Sequence, residues 1–488
     1  MATNHNNNVA LKNAAFDVGL DCVIKASPLL SKTPRLRHSI LETGKKVSAT
    51  LRPANALAST LPPGVLSDQA DYGAAFIETF DRILARRLSE ATLRKIAKNL
   101  VHGALVQGGQ RSVIDDFAAQ HNANPPATMT ISPGKTCNLQ CTGCYANAGP
   151  TAEKLDWETF DRIITEAKTK WGVKFLVISG GEPLAYRSNG KGLLDAVEKH
   201  PDVFFMFYTN GTLIDEKTAQ RMADLGNVTP AISVEGWRER TDERRGAGVF
   251  DQILAAMARL RKAGVFFGIS LTATRHNAEE IFSDEFLDFF IEEQGAFYGW
   301  VFHYMPIGRF YTLDLMPTPE QRIWMWKRSW EIVKERKVFL ADFWNHATVS
   351  NGCIAGGGAN GGYMYIDWNG SVTPCVFVPY SPVNINKIYA NGGDINDIWS
   401  NPFFADIRTW QKGYTKDKGN WLSPCLTRDH HKVLSELIAQ HEPDPIDENA
   451  HQALLDPEYG RGLERYGELY ENLSEPIWRE HYLQGQSK

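Results

Sequence analysis

Three cysteines, Cys137, Cys141 and Cys144, fall within eight residues in the segment ISPGKTCNLQCTGCYANAG. Thiols crowded this closely in a long chain read as metal ligands rather than as part of a disulfide framework. Structural zinc takes four ligands, usually as two spaced pairs, and a ferredoxin-type cluster takes four cysteines. Neither count is met here, because the nearest histidines are His121 and His200 and no fourth cysteine lies close. Three thiolates leave one iron of a four-iron cluster open, and an open position is where a substrate or cosubstrate can bind. A looser set follows at Cys353, Cys375 and Cys425, with Pro374 and Pro424 placing two of them in loops rather than in apolar stripes. Asp429, His430 and His431 stand close behind Cys425; one could supply a fourth ligand, and a surface or supporting role is the simpler expectation. Cys22 lies outside both groups and reads as a free thiol.

The elements that must position these groups follow from periodicity. Apolar runs at 127–132, 174–179, 203–209, 229–234, 266–273 and 298–305 read as strands. Between them lie amphipathic helices, one with Trp157, Phe160, Ile163, Ile164 and Ala167 on one face, another with Phe250, Ile253, Leu254, Met257 and Leu260. Repeated βα units require a parallel sheet with helices outside it, and six of them make a partial (β/α)6 barrel of the TIM type. In such folds the chemistry collects at the carboxyl ends of the strands. The first cysteine motif stands directly after the first strand.

This motif, with Tyr145 beside its last cysteine, resembles the signature of the radical S-adenosylmethionine (SAM) superfamily. Ser179-Gly180-Gly181-Glu182-Pro183, closing the second strand, is similar to the family's GGEP motif, and the strand ends YTNGTLI and AISVEG also match. The resemblance implies a [4Fe–4S] cluster on Cys137, Cys141 and Cys144, with SAM chelating the fourth iron. It further implies SAM-binding roles for Tyr145, Gly180, Gly181, Glu182, Pro183, Ser233, Glu235 and Ser270, Glu182 accepting from the SAM ammonium. Glu235 departs from the family's usual Asp, and Arg245-Gly246 also fits the pattern. The stretch CIAG…GYMYIDWNGSVTPC, followed by DINDIWSNPFFADIR, resembles the auxiliary-cluster domains called SPASM or twitch. It implies a second [4Fe–4S] cluster on Cys353, Cys375 and Cys425, although these three cysteines are fewer than the full pattern carries. The implied reaction is reductive cleavage of SAM to a 5′-deoxyadenosyl radical that abstracts hydrogen from a substrate.

Four regions result: an N-terminal helical region (1–125), a core domain (126–345), a small α+β cluster domain (346–440) whose Asn369-Gly370 suggests a hairpin turn, and a helical tail (441–488) expected on the surface. With 488 residues and a net charge of −5, the chain is an ordinary globular protein and lacks the concentrated basic surface of a nucleic-acid binder. No signal pattern or long apolar run appears, so a cytoplasmic location is expected. A reductant such as flavodoxin or ferredoxin is the implied partner. Peptide or protein maturation is the leading substrate expectation, with a lipid or a small-molecule cofactor precursor as the alternative. The N-terminal region lacks a leader-binding pattern, and its basic segment at 31–46 would suit an anionic substrate or a membrane surface. His303, Tyr304 and Arg309 are candidate substrate-facing residues. A non-catalytic iron–sulfur electron carrier is the rival of another class; it leaves the GGEP match unexplained.

Overall fold

A computed structural model describes residues 24–27, 29–39, 42, 61–358, 361–417 and 419–484; Cys22 and residues 40, 41 and 43–46 of the basic segment lie outside them. Six parallel strands form in the predicted order: β1 Thr128–Ile131, β2 Phe175–Ile178, β3 Phe204–Thr209, β4 Val228–Val234, β5 Gly268–Ala273 and β6 Gly299–His303. They are apolar almost throughout because helices cover one face and the barrel interior the other, the usual state of a parallel strand. The outer helices Trp157–Lys170 and Val249–Ala263 bury the predicted faces against them, with only Leu254 half-buried. Inward positions alternate along each strand: Thr128 and Thr130, Phe175 and Val177, Met206 and Tyr208, Ser270 and Thr272, Trp300 and Phe302 all line the interior.

Four further strands extend this sheet. β7, Leu340–Asp342, pairs parallel with β6, and β8, Tyr363–Ile366, pairs parallel with β1. β8 turns back antiparallel into β9, Ser371–Thr373, which is followed by the edge strand Val383–Asn384. The cluster-domain hairpin is therefore an extension of the barrel sheet and not a sheet of its own. Its turn is longer than two residues: the Asp367 carboxylate accepts from the backbone N–H groups of Asn369 and Ser371, and Gly370 stands at φ +80°.

The flanking regions are less independent than the sequence suggests. The helices Pro63–Ala85 and Glu90–Lys95, the latter continued by a π-helical stretch Ile96–Val106, close the amino end of the barrel. Ile83 and Ile96 pack there with Phe204, Met206, Phe266 and Tyr298. Asp68 is a buried hub that accepts from Thr348 Oγ1 and Tyr482 Oη and pairs with Lys334 Nζ at 3.2 Å. The C-terminal tail is helical, as expected, over Glu448–Leu455, Pro457–Ile477 and Trp478–Leu483. It does not simply lie on the surface: Leu463, Tyr470, Trp478 and Tyr482 are buried, and Trp478 and Tyr482 pack with Val65 and Trp421. In the basic segment, Arg37 is buried and donates to Asp81 Oδ1 and Leu30 O. Among the described residues no helix is long and apolar enough to cross a membrane.

Candidate active site

Cys137, Cys141 and Cys144 lie on the loop leaving β1 and face one cavity of about 270 Å³ at the carboxyl end of the barrel. Among the described residues no group of His, Cys, Asp or Glu converges as a single ion requires, whereas thiols spread over a shared cavity suit a cluster that offers each sulfur its own iron. Donors are already aimed at the sulfurs. Leu139 N–H lies 3.4 Å and Asn210 Nδ2 3.9 Å from Cys137 Sγ, and Arg245 Nη1 lies 3.9 Å from Cys141 Sγ. Burial pushes the free Cys137 thiol up to about 11, so thiolate ligation there depends on the compensating positive charge of a bound metal.

The GGEP loop is fastened to this cysteine loop. Gly181 N–H donates to Gly134 O, Glu182 N–H to Thr136 O, and Tyr145 Oη accepts from Gly180 N–H while bonding Ser179 Oγ at 2.6 Å. Gly181 must be glycine, because a Cβ would stand 2.3 Å from Thr136 O and 2.4 Å from Lys135 O. Gly180, Gly181 and Tyr145 line the cavity, as do Ser233 and Ser270, which are register partners on β4 and β5.

Glu182, Pro183 and Glu235 stand behind that wall. Glu182 accepts from Asn210 N–H, Leu184 N–H and Thr209 Oγ1, so its buried carboxylate ties the ends of β2 and β3 together instead of facing the cavity. Burial pushes its pKa up, against the pull of these donors. Pro183 opens the short helical turn Pro183–Ala185. Glu235 pairs with Arg244 and Arg245 and thereby holds both guanidiniums at the cavity.

Arg309 has a different job from the substrate contact expected of it. Its backbone N–H donates to Cys144 O, Nη1 donates to Cys141 O at 3.0 Å, and Nη2 reaches Ala148 O. The side chain clamps the cysteine loop. Tyr304 lies under the same loop against Gly143, its hydroxyl donating to Phe310 O. Both contacts span the whole barrel and leave no local signal in the sequence. Arg309→Lys keeps the charge but loses the fork that serves two carbonyls. SAM cleavage should fall roughly 10- to 100-fold, the usual range for groups supporting a metal ligand; unchanged 5′-deoxyadenosine formation would dismiss the clamp.

Cys353, Cys375 and Cys425 come together on the wall of a second cavity, of about 500 Å³, at the amino end of the barrel. Cys375 Sγ lies 2.8 Å from Tyr363 Oη and 3.4 Å from Phe377 N–H. The three proposed alternatives for a fourth ligand are engaged elsewhere. Asp429 accepts from Cys425 N–H and pairs with Arg322 and Arg428, His430 Nε2 bonds Ser423 O, and His431 Nδ1 bonds Thr427 O. His200 is likewise bonded, to Asp161 at 3.0 Å.

A fully buried polar chain joins this auxiliary loop to the strand ends. Arg428 Nη1 donates to His303 Nδ1 at 3.0 Å, and His303 Nε2 donates to Asp342 Oδ2 at 3.1 Å. Burial, together with Arg428 and Arg322, holds His303 neutral with its pKa pushed down to about 4, while Asp342 stays ionised. His346, which accepts from Asp342 N–H and bonds Ser329 Oγ, is also pushed down to about 4 by burial. The unfolded chain protonates these imidazoles near pH 6.5, and the folded chain does so only near pH 4. Stability should therefore fall as pH drops between those values, by up to ~3 kcal/mol per histidine. Denaturant midpoints measured from pH 7.5 to 5 test this; a flat series contradicts it.

Comparison with known proteins agrees with this geometry. Residues 131–283 match the family model of the radical SAM superfamily, and residues 353–427 match that of an iron–sulfur cluster-binding domain, SPASM. The chain is a radical SAM enzyme. It carries the SPASM domain behind its barrel, and these domains together imply a SAM-binding [4Fe–4S] cluster and auxiliary iron–sulfur chemistry. An AdoMet-dependent heme synthase of Methanosarcina barkeri is 26% identical over 319 residues, covering 57% of this chain and 83% of that protein. The sporulation killing factor maturation protein SkfB of Bacillus subtilis is 27% identical over 160 residues, 32% of this chain and 38% of its own length. Among solved structures, Streptococcus suis SuiB bound to precursor peptide SuiA shares the fold at a TM-score of 0.50 and 22% identity, covering 61% of this chain and 70% of that one.

Proposed function

We propose that Cys137, Cys141 and Cys144 hold the SAM-binding cluster, and that Cys353, Cys375 and Cys425 hold one auxiliary [4Fe–4S] cluster. The observation that carries this reading is the meeting of the cysteine loop, the Gly180–Gly181 backbone and the Ser233–Ser270 pair around one cavity. When bound, the reduced cluster supplies the electron that splits SAM into methionine and a 5′-deoxyadenosyl radical, which takes hydrogen from the substrate. The chain's part is positioning and shelter. Gly180 and Gly181 admit SAM close to the backbone, Tyr145 fixes their loop, and Arg244 and Arg245 bring positive charge beside the sulfurs. Phe302, Phe343 and Phe377 wall the space below and exclude water from it.

The substrate in this reading is a lipid or cofactor precursor with a large apolar body, because Phe175, Trp300, Phe302, Phe343 and Phe377 give the interior beneath the cysteines broad aromatic walls, among which the hydroxyls of Thr128, Thr130, Ser270 and Thr272 are spaced as isolated polar contacts. The heme synthase likeness supports a cofactor precursor. Peptide maturation is the second reading, favoured by the SkfB likeness. The core domain spans 126–345 and the auxiliary domain 346–440, with a flavodoxin or ferredoxin as reductant in the cytoplasm. Anaerobic reconstitution with iron and sulfide, followed by an iron count and an assay of 5′-deoxyadenosine under strong reductant, tests the assignment. Roughly eight irons per chain with deoxyadenosine formed is the expected result. Metal incorporation without SAM cleavage, in protein with verified and reduced clusters, would favour an electron carrier.

A further inference from the structure

The cavity at the amino end of the barrel has an opening of its own. Phe76, Phe204, Phe266, Tyr298 and Phe339 line it, and it shares Phe175, Met206, Trp300 and Phe343 with the cavity beneath the first cysteine triad. Cys353, Cys375 and Cys425 border the same cavity, so a cluster held there would take part of its volume. Asp342, which also borders the cavity, is bonded to His303. The throat is formed by Leu100, Ala104 and Leu105 of the π-helical stretch, where Leu105 is 54% exposed.

Just outside, Gln107, Gln110, Arg111 and Lys174 surround a recess, and Lys174 borders both spaces. Lys174 Nζ meets Asp202 at 2.9 Å, and Arg111 Nε meets Asp115 at 3.0 Å. Each cation has more N–H donors than that one partner uses. About 500 Å³ lies within the range of small-molecule sites, and apolar cavities take apolar ligands in preference to water. A peptide backbone would bring amides that these walls leave unpaired. A hydrocarbon chain brings none.

We infer that the floor of the barrel binds the hydrocarbon chain of an anionic amphiphile, threaded between Leu100, Ala104 and Leu105 with its carboxylate or phosphate head at Arg111 and Lys174. The site deepens the reading of an apolar substrate and rests on it: the chain end points toward the space below Cys137, Cys141 and Cys144.

Palmitate and 1-palmitoyl lysophosphatidate are titrated into the reconstituted holoprotein by calorimetry, the tighter ligand identifying the head. Ala104→Trp narrows the throat, and Leu105→Glu places a charge at an exposed position that the fold tolerates. Each should weaken binding at least about ten-fold while SAM cleavage without substrate continues. No binding of either amphiphile by the wild type, or binding indifferent to both substitutions, overturns the inference. Loss of SAM cleavage in wild-type holoprotein that still binds amphiphile would instead overturn the cluster assignment and leave the floor site standing.

Discussion

Cys141→Ala should abolish 5′-deoxyadenosine formation, with an expected loss of at least about 100-fold, while iron falls from roughly eight to roughly four per chain. The cysteine loop is held from outside the triad by Arg309, Tyr145 and Gly181, so removing one thiol should leave the loop folded and only the cluster seat incomplete. The second triad lies on the wall of the other cavity and keeps its own iron. Deoxyadenosine formed at the wild-type rate would remove Cys141 from the site. Iron falling to zero would show that the two seats load cooperatively.

The second large effect belongs to Asp429. Its carboxylate pairs with Arg322 and Arg428, all three groups fully buried, and it accepts from Cys425 N–H at 3.0 Å. Asp429→Asn keeps the shape and removes the charge, leaving two guanidiniums buried without a counter-ion. Breaking such a group from one side typically destabilises by ~3–5 kcal/mol. The variant should unfold at markedly lower denaturant and lose the auxiliary iron first, with SAM cleavage outlasting it. Because apolar residues of matched volume often replace buried ion pairs at little cost, Arg322→Met combined with Asp429→Leu should recover part of the stability without restoring the anchor on Cys425. A denaturation midpoint unmoved by Asp429→Asn would show that the buried charges contribute nothing to the fold.

The six barrel strands were legible within a residue or two because buried parallel strands are written as unbroken apolar runs. The cysteine and glycine motifs were legible because their spacing is local. What escaped was long-range. The stretch at 338–343 is too short to announce itself as β7, and the pairing of β8 with β1 joins segments more than two hundred residues apart. Arg309 reads as a substrate-facing residue until the cysteine loop folds over it. Glu182 and Glu235 read as ligands of the cofactor because their motifs stand at the right strand ends, yet both carboxylates are consumed by the protein's own donors. The tail's Trp478 and Tyr482 are scattered aromatics in a polar stretch, and packing against Val65 of the N-terminal helix and against the distant Trp326 and Trp421 makes them core.

The pairing of β8 with β1 also bears on how an electron would travel between clusters held at the two triads. Two redox modules joined by a linker exchange electrons only in those moments when they swing close, and their rate then follows solvent viscosity. Here the strand that leads into the second cysteine set is hydrogen-bonded, register by register, to the strand that launches the first. The gap between the two triads is thus bridged by a lattice of backbone bonds, so an electron passing between clusters held there would cross an interval set by the sheet and not by a linker.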